Sequence, residues 1–476
     1  MTSPDRILGP ILILDDIRDG RMHLAALLIA PEGQDVPAPE TGDGPAEMVR
    51  LADLAGVTVH RARFSVPLDR PSSYHWNGTD YALAGLPEDG GRLAFVSCNG
   101  EEHGDLDRDG AERNAMWARL GAEHDDRPFS LILHGGDQVY ADEATHGHPL
   151  SEDWPDRIPR DPARADLASL RDHLRARFAD RYITLYKAPE FAYLAARVPA
   201  LMQWDDHDIC DGWGSLRRSR TYSPVGQALF EMAREAALLF QHGTVEGDLP
   251  ARFRDPSGLH LGWSVTAPGL RLLGPDLRSE RTRREVMGKG GWQMMEDETR
   301  SPCPGRTLVM SSVPLLGPRL SLLELLMVLT PRMQKYEDDL RDQWQSRAHR
   351  ESWTHMLELM ARIADHADQQ VTVLSGEIHL AARGEMSLPS GDTLHQLVAS
   401  GISHRAPPKA WAKVLGALAA FGESPLKGHK IRMARIPGQA QRYIAERNYL
   451  VLERSGDNWS AEWEFEAAGR SPALPL

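Results

Sequence analysis

The run Leu131-Ile132-Leu133-His134-Gly135-Gly136-Asp137-Gln138-Val139-Tyr140-Ala141-Asp142 constrains the fold of this chain more than any other stretch. Three consecutive large apolar residues belong inside a sheet, and they lead through a histidine into two glycines, two aspartates and a tyrosine. That is the pattern of a buried strand ending where chemistry takes place. In open α/β sheets the carboxyl ends of the strands border the crevice that takes ligands, and glycines there let backbone approach an ion or an anionic group closely. Asp137 is therefore the residue against which every other candidate is weighed.

The pattern recurs along the chain. Arg92-Leu93-Ala94-Phe95-Val96-Ser97-Cys98 is an apolar run ending on a thiol. A helix expected from about Asp109 to Leu120 joins it to the Leu131 strand as a β-α-β unit, setting the two strands parallel with Cys98 and Asp137 at one edge. Pro199 to Trp204 approaches Asp205-Asp206-His207-Asp208, Leu270 to Leu273 approaches Asp276-Leu277-Arg278, and Val371 to Ser375 approaches Gly376-Glu377-Ile378-His379. Apolar spacing of three and four predicts helices over 161–197, 227–241 and much of 320–367. Tyr449–Leu452 and Trp459–Phe465, separated by Ser455-Gly456-Asp457-Asn458, predict a hairpin.

The first 88 residues differ in character. Short alternating segments with turns such as Asn77-Gly78 read as antiparallel β, so residues 1–88 are expected to form a small N-terminal β domain before a catalytic domain of 89–476. The Pro-, Gly- and acid-rich stretch from Pro31 to Glu47 reads as a surface loop.

Composition excludes some functions. A net charge of -14, from 68 acidic against 54 basic residues, disfavours nucleic acid and anionic lipid as partners. Three widely spaced cysteines without a CxxC make a disulfide framework unexpected and fit a reducing compartment. The start MTSPDRILGP lacks the basic and apolar regions of a signal peptide, and the longest apolar stretch, Leu320 to Leu329, is too short to span a bilayer. The expectation is a cytoplasmic protein with no membrane span; oligomeric state is open. Leu320–Leu329 and Trp411–Phe421 could line a pocket for a lipid-like leaving group, but helix packing on the core is the preferred reading.

Carboxylates suit hard cations, whereas thiolate, phenolate and imidazole suit a transition metal such as iron. A shared carboxylate can hold two ions together, and Asp137 is the natural bridge. In this respect the chain resembles the alkaline phosphatase D (PhoD-like) branch of the calcineurin-like metallophosphoesterases. The resemblance rests on Phe95-Val96-Ser97-Cys98, Gly136-Asp137-Gln138-Val139-Tyr140-Ala141-Asp142, Trp204-Asp205-Asp206-His207-Asp208, Asp276-Leu277-Arg278 and Ser375-Gly376-Glu377-Ile378-His379, in that order, over roughly residues 90 to 455.

The resemblance implies an α/β (in part α+β) fold, a β-sandwich core of mixed sheets flanked by helices, in place of a simple open sheet. It implies Cys98, Asp137, Tyr140 and His379 as ligands of a ferric ion, and Asp137, Asp206 and Glu377 as ligands of one or more calcium ions, with Mn2+ or Zn2+ as alternatives. His207 would sit beside the scissile phosphate as acid or phosphate ligand, with Arg278 and Arg281 as substrate-binding arginines. Asp205 is expected behind the ligands or as a cap, and Asp208 and Asp211 as loop-orienting or capping groups. Glu377 departs from the family's usual Gly-Asp-x-His and puts the calcium assignment in question. The implied activity is metal-dependent hydrolysis of a small phosphate mono- or diester by metal-activated hydroxide at a site of two or more ions. The alternative is a non-catalytic metal-containing sensor of a phosphorylated ligand; a nuclease is weaker still, for want of a basic aromatic stripe.

Overall fold

Gly90–Val96 and Leu131–His134 pair in parallel, Val96 opposite His134, with Ala115–Asp126 as the crossover helix. Ala200–Met202 joins alongside, Met202 opposite His134. The computed structural model of the chain describes residues 4–255, 258–303, 305–318 and 342–476. Among these residues the three strands form the middle of an eleven-stranded mixed sheet.

The first 88 residues supply the expected antiparallel strands, but most of them extend this same sheet. Leu8–Arg18 pairs in parallel with Ala200–Met202 through Ile13 and Ala200, and antiparallel with Arg21–Pro31. The physical reason is burial on both faces: Leu12, Ile13 and Leu14 are all inaccessible, so the strand belongs inside a sheet and not on the half-solvated face of a separate sandwich. Only a four-stranded sheet of Glu40–Thr41, Gly44–Pro45, Ser72–Trp76 and Thr79–Leu83 stands apart. Residue 88 is thus a change of connectivity but not a break in hydrogen bonding. At the opposite side the hairpin forms as expected, Asn448–Ser455 against Asn458–Phe465, and Asn448–Ser455 pairs with Gly90–Val96.

A second, nine-stranded sheet contains Leu270–Gly274, Gly305–Met310, Gln369–Ser375 and Thr393–Val398 in consecutive parallel pairs. Its side chains alternate as a pleat requires. Leu308, Met310, Leu374 and Leu397 point into the core that also holds Leu93, Phe95, Leu133 and Leu450 of the first sheet. Val309, Val371 and Val373 face the other way, onto Met356, Leu357 and Met360 of the Arg350–Ala364 helix. The two sheets therefore share one core, and helices cover the outside of the second.

The helices expected over 161–197 and 227–241 are Arg164–Lys187 with Pro189–Ala195, and Pro224–Ala236 continued by a wider turn over Ala237–Gln241. The Leu320–Leu329 run lies outside the described residues. Lys409–Leu418 is a helix that packs Ala412 and Leu415 against Leu380, Val398 and Tyr443, in keeping with the packing reading. No helix among the described residues is long and apolar enough to cross a membrane.

His134, at the end of its strand, is buried with Nδ1 2.7 Å from Gln138 Oε1. Burial holds its pKa down to about 4, only partly offset by Gln138, against a reference of 6.5. A folded pKa below the unfolded one means that the neutral ring's contribution is complete above about pH 6.5 and is lost as pH falls toward 4. Between pH 7 and pH 5 this one group costs about 2 kcal/mol of stability. Urea unfolding at the two pH values should show the loss, and His134→Gln should reduce it; an unchanged difference would refute the assignment.

Candidate metal centre

Parallel strands of both sheets end at one rim. Just beyond Val96, His134, Met202, Gly274, Ser375 and Val398 stand Cys98, Asp137, Asp205 with Asp206, Asp276 with Arg278, Glu377 with His379, and Ser400. The loops are pinned by main-chain bonds: Cys98 N donates to Gly136 O, Asn99 N to Asp137 O, and, between the sheets, Ile402 N to Ser97 O at 3.0 Å. Four candidate ligands, Cys98, Asp137, Glu377 and His379, hold φ between +53° and +66°. Non-glycine residues in that region cost on the order of 1–3 kcal/mol each and persist where the surroundings impose them, often at functional sites. Gly136 has φ +116°, and a Cβ there would lie 2.8 Å from Asp205 Cβ, so only glycine lets Asp205 lie against this turn.

The side chains form two overlapping donor sets. Cys98, Asp137 and His379 each offer an atom within 4.8 Å of the others, and so do Asp137, Asp205 and Asp206. Asp137 belongs to both. Cys98 Sγ is 3.4 Å from Asp137 Oδ2, and Tyr140 Oη is 3.0 Å from His379 Nε2, which brings the phenol to the first set. Asp137 Oδ1, Asp205 Oδ2 and Asp206 Oδ1 are buried without a hydrogen-bond partner among the described residues.

Burial raises the Cys98 thiol well above its ordinary pKa, with the Asp137 carboxylate adding to it. Burial likewise lifts Tyr140, with Cys98 and Asp137 behind it. Asp137 is pushed up by burial and by Asp205, Asp206 and Asp208, against the pull of His207. His379 is driven the other way by burial and by His404, toward the neutral imidazole that ligates metals. Buried anionic donors crowded together, with oxygens left unpaired, are costly unless a cation compensates them. The first set offers sulfur, nitrogen and phenolic oxygen, which suit a transition ion; the second offers carboxylates alone, which suit a hard one. The residues present therefore fit both kinds of ion.

Arg278 and Arg281 differ from expectation. Arg278 is 0% exposed: its Nε pairs with Asp205, its Nη2 lies 2.7 Å from Asp342 and 3.3 Å from Asp206, and its Nη1 donates to Trp213 O. Arg281 is buried against Asp342 at 3.0 Å. Both guanidinium groups lie among carboxylates and not at the open face, because three buried acids need compensation before any phosphate does. Asp205, expected only as a supporting group or cap, carries the Arg278 pair, accepts from Ser312 Oγ at 2.7 Å and shares the second donor set with Asp206. Asp206 also accepts from Gly212 N at 2.9 Å. Glu377 joins neither set among the described residues; its carboxylate accepts from Gln343 Nε2 at 2.7 and 2.9 Å. Burial, then Asp342, raises its pKa well above the usual range.

His207 stacks on Tyr140 at 4.3 Å between ring centroids, and its Nδ1 lies 3.0 Å from Asp142 Oδ2. Despite burial, Asp142 and Asp206 hold its pKa well above the ordinary value. Asp142 also accepts from Asp211 N at 2.6 Å, fixing the loop. Asp208 accepts from Asp205 N and Val139 N, a capping role as expected. Sequence reasoning did not assign Asp142, Asp342, Gln343, Glu102 or His404. Nothing in the sequence near Asp342 signals its role. His404 had a signal: the apolar run ending at Val398 leads through Ser400-Gly401 to it, as the other strands lead to their ligands.

Parallel strands of two sheets thus deliver thiol, acid and imidazole groups to one rim. The chain belongs to the PhoD related phosphatases, whose family model matches residues 96–336. The solved structure of PhoD superimposes with a TM-score of 0.58 at 12% identity, covering 99% of this chain and 88% of that one, a likeness of fold. YGR266W of Saccharomyces cerevisiae, itself described as uncharacterized, is 25% identical over 334 residues, 57% of this chain and 47% of the yeast protein. The chain thus spans about half the length of that relative.

Proposed function

We propose that this chain hydrolyses phosphate esters with the help of cations held by two donor sets that share Asp137. The observation that carries the reading is that sharing, together with the buried oxygens of Asp137 and Asp205 that have no hydrogen-bond partner among the described residues. Cys98, Asp137, Tyr140 and His379 would hold a transition ion of the ferric type; Asp137, Asp205 and Asp206 would hold a hard divalent ion of the calcium type, with Glu377 behind them. Such ions polarise a phosphoryl oxygen and make water a nucleophile at neutral pH.

The chain's own residues supply the rest. Asp142 fixes the His207 ring through Nδ1, so a proton on Nε2 is available to the leaving oxygen or to a phosphate oxygen. Arg278 and Arg281 are positioning residues that act through the carboxylates they neutralise. No side chain needs to be phosphorylated in this scheme.

The test is release of phosphate or alcohol from aryl phosphate mono- and diesters, before and after chelation and after restoring iron and calcium. Activity lost on chelation and recovered on reconstitution is expected. Full activity of the metal-free chain refutes the reading, and tight ligand binding without hydrolysis gives the sensor alternative instead. His207→Gln should lower turnover about a hundredfold or more while metal content stays unchanged.

A further inference from the structure

Ser400 stands at the rim outside both donor sets, yet its hydroxyl touches two members of the first. It is 0% exposed and follows the end of Thr393–Val398. His379 N donates to Ser400 Oγ at 2.8 Å, and Cys98 Sγ lies 3.2 Å from the same oxygen. His379 and Cys98 hold φ of +53° and +55°, so one hydroxyl ties together the two strained turns that carry the imidazole and the thiol. The fold places Ser400 without help from an ion. Asn448 Nδ2 donates to Ser400 O at 2.8 Å, Trp463 Nε1 to Val398 O at 2.9 Å, and Ala399 N to Ser375 O at 3.0 Å. The C-terminal hairpin of the first sheet and a neighbouring strand of the second thus hold it from both sides.

Counting hydrogens fixes the direction of the contact with sulfur. A serine hydroxyl has one hydrogen and two lone pairs. A lone pair accepts from His379 N, which leaves the hydrogen for another partner. A sulfur that binds a cation does so as thiolate, has no hydrogen of its own and can only accept. The hydrogen of Ser400 then goes to Cys98. Ser97 Oγ is 3.5 Å from the same sulfur, but it is 3.0 Å from Ala399 O, which takes its single hydrogen.

We propose that Ser400 is a positioning residue whose hydroxyl donates to the Cys98 thiolate and sets how strongly that sulfur donates to the transition ion. The inference rests on the proposed function, in which Cys98 holds such an ion. A hydrogen bond draws charge from a ligating sulfur, and the potentials of thiolate-bound iron and copper are tuned in this way. A sulfur so restrained gives less charge to the ion and leaves it the stronger Lewis acid.

The test uses the full-length chain loaded with ferric iron and calcium, with Cys98→Ser marking the thiolate part of its visible absorption. Removing the hydrogen bond raises the energy of the sulfur lone pair. Ser400→Ala should therefore keep its iron, move the thiolate band to longer wavelength and lower the reduction potential of the ion. Ser400→Thr, which keeps a hydroxyl, should return both toward the unsubstituted values, and Ser97→Ala should leave them in place. Should Ser400→Ala fold poorly or lose its iron, resonance Raman of the unsubstituted chain decides: stripping and reloading in D2O should shift the iron–sulfur stretch, and an unshifted stretch overturns the proposal. So does an iron-loaded Ser400→Ala with the band and potential of the unsubstituted chain, or a shift produced by Ser97→Ala in its place. These results leave the proposed function standing; an unsubstituted chain that takes up no iron at Cys98 overturns that reading and this inference with it.

Discussion

Asp137→Asn is expected to abolish hydrolysis and, in the presence of chelator, to leave the chain as stable as the unsubstituted protein or more so. The two halves have one cause. Asp137 is buried beside Asp205, Asp206 and Asp208, and its carboxylate form is disfavoured there without a cation. The amide removes that repulsion, so thermal unfolding with chelator should not fall. The same change removes the only carboxylate common to both donor sets, so turnover should drop on the order of a thousandfold, about 4 kcal/mol of transition-state stabilisation. Added iron and calcium should raise the melting temperature of the unsubstituted chain but not of the variant, since a ligand stabilises only the state that binds it. A variant that retains activity, or that gains the same stabilisation from metal, would contradict this.

Arg278→Met has the opposite signature. It leaves Asp205, Asp206 and Asp342 without their shared guanidinium. Removing one partner from a buried ion pair costs about 3–5 kcal/mol, because the remaining charge stays buried and uncompensated. Urea unfolding of the chelated protein should show a loss of that size. Arg278→Lys should recover only part of it, because a single ammonium cannot match a fork that reaches three carboxylates and the Trp213 carbonyl at once. A loss below about 1 kcal/mol would mean that the cluster is compensated by other means.

These two residues show how far a sequence reading reaches. Asp137, Cys98 and His379 were legible because each follows a buried parallel strand, and the topology of such strands forces their ends to one rim. Arg278 was legible as a residue of the site but not in its direction: a sequence shows that an arginine follows a strand, not whether carboxylates 73 and 64 positions away reach it first. Asp342, Gln343 and Glu102 carry no local pattern, and only the fold brings them in. The N-terminal strands were legible as antiparallel. Their junction with the main sheet rests on one parallel contact, Ile13 with Ala200, between segments almost two hundred residues apart. Burial on both faces of Leu8–Arg18 was the available clue, and it is visible in the run Ile11-Leu12-Ile13-Leu14.

The stack of His207 on Tyr140, and of His404 on His379, lines the mouth with two carboxylate-paired imidazoles, one held by Asp142 and one by Glu102. They flank the donor sets from different loops.

Anomalous scattering from crystals of the natively purified chain, recorded at the edges of iron, zinc and calcium, tests the central claim most directly. An iron peak within bonding distance of Cys98, Asp137, Tyr140 and His379, and a second ion between Asp137, Asp205 and Asp206, is the predicted result. Side chains of Cys98, Asp137 and His379 that gather as described but bind no ion, in a protein that still hydrolyses phosphate esters, would contradict it.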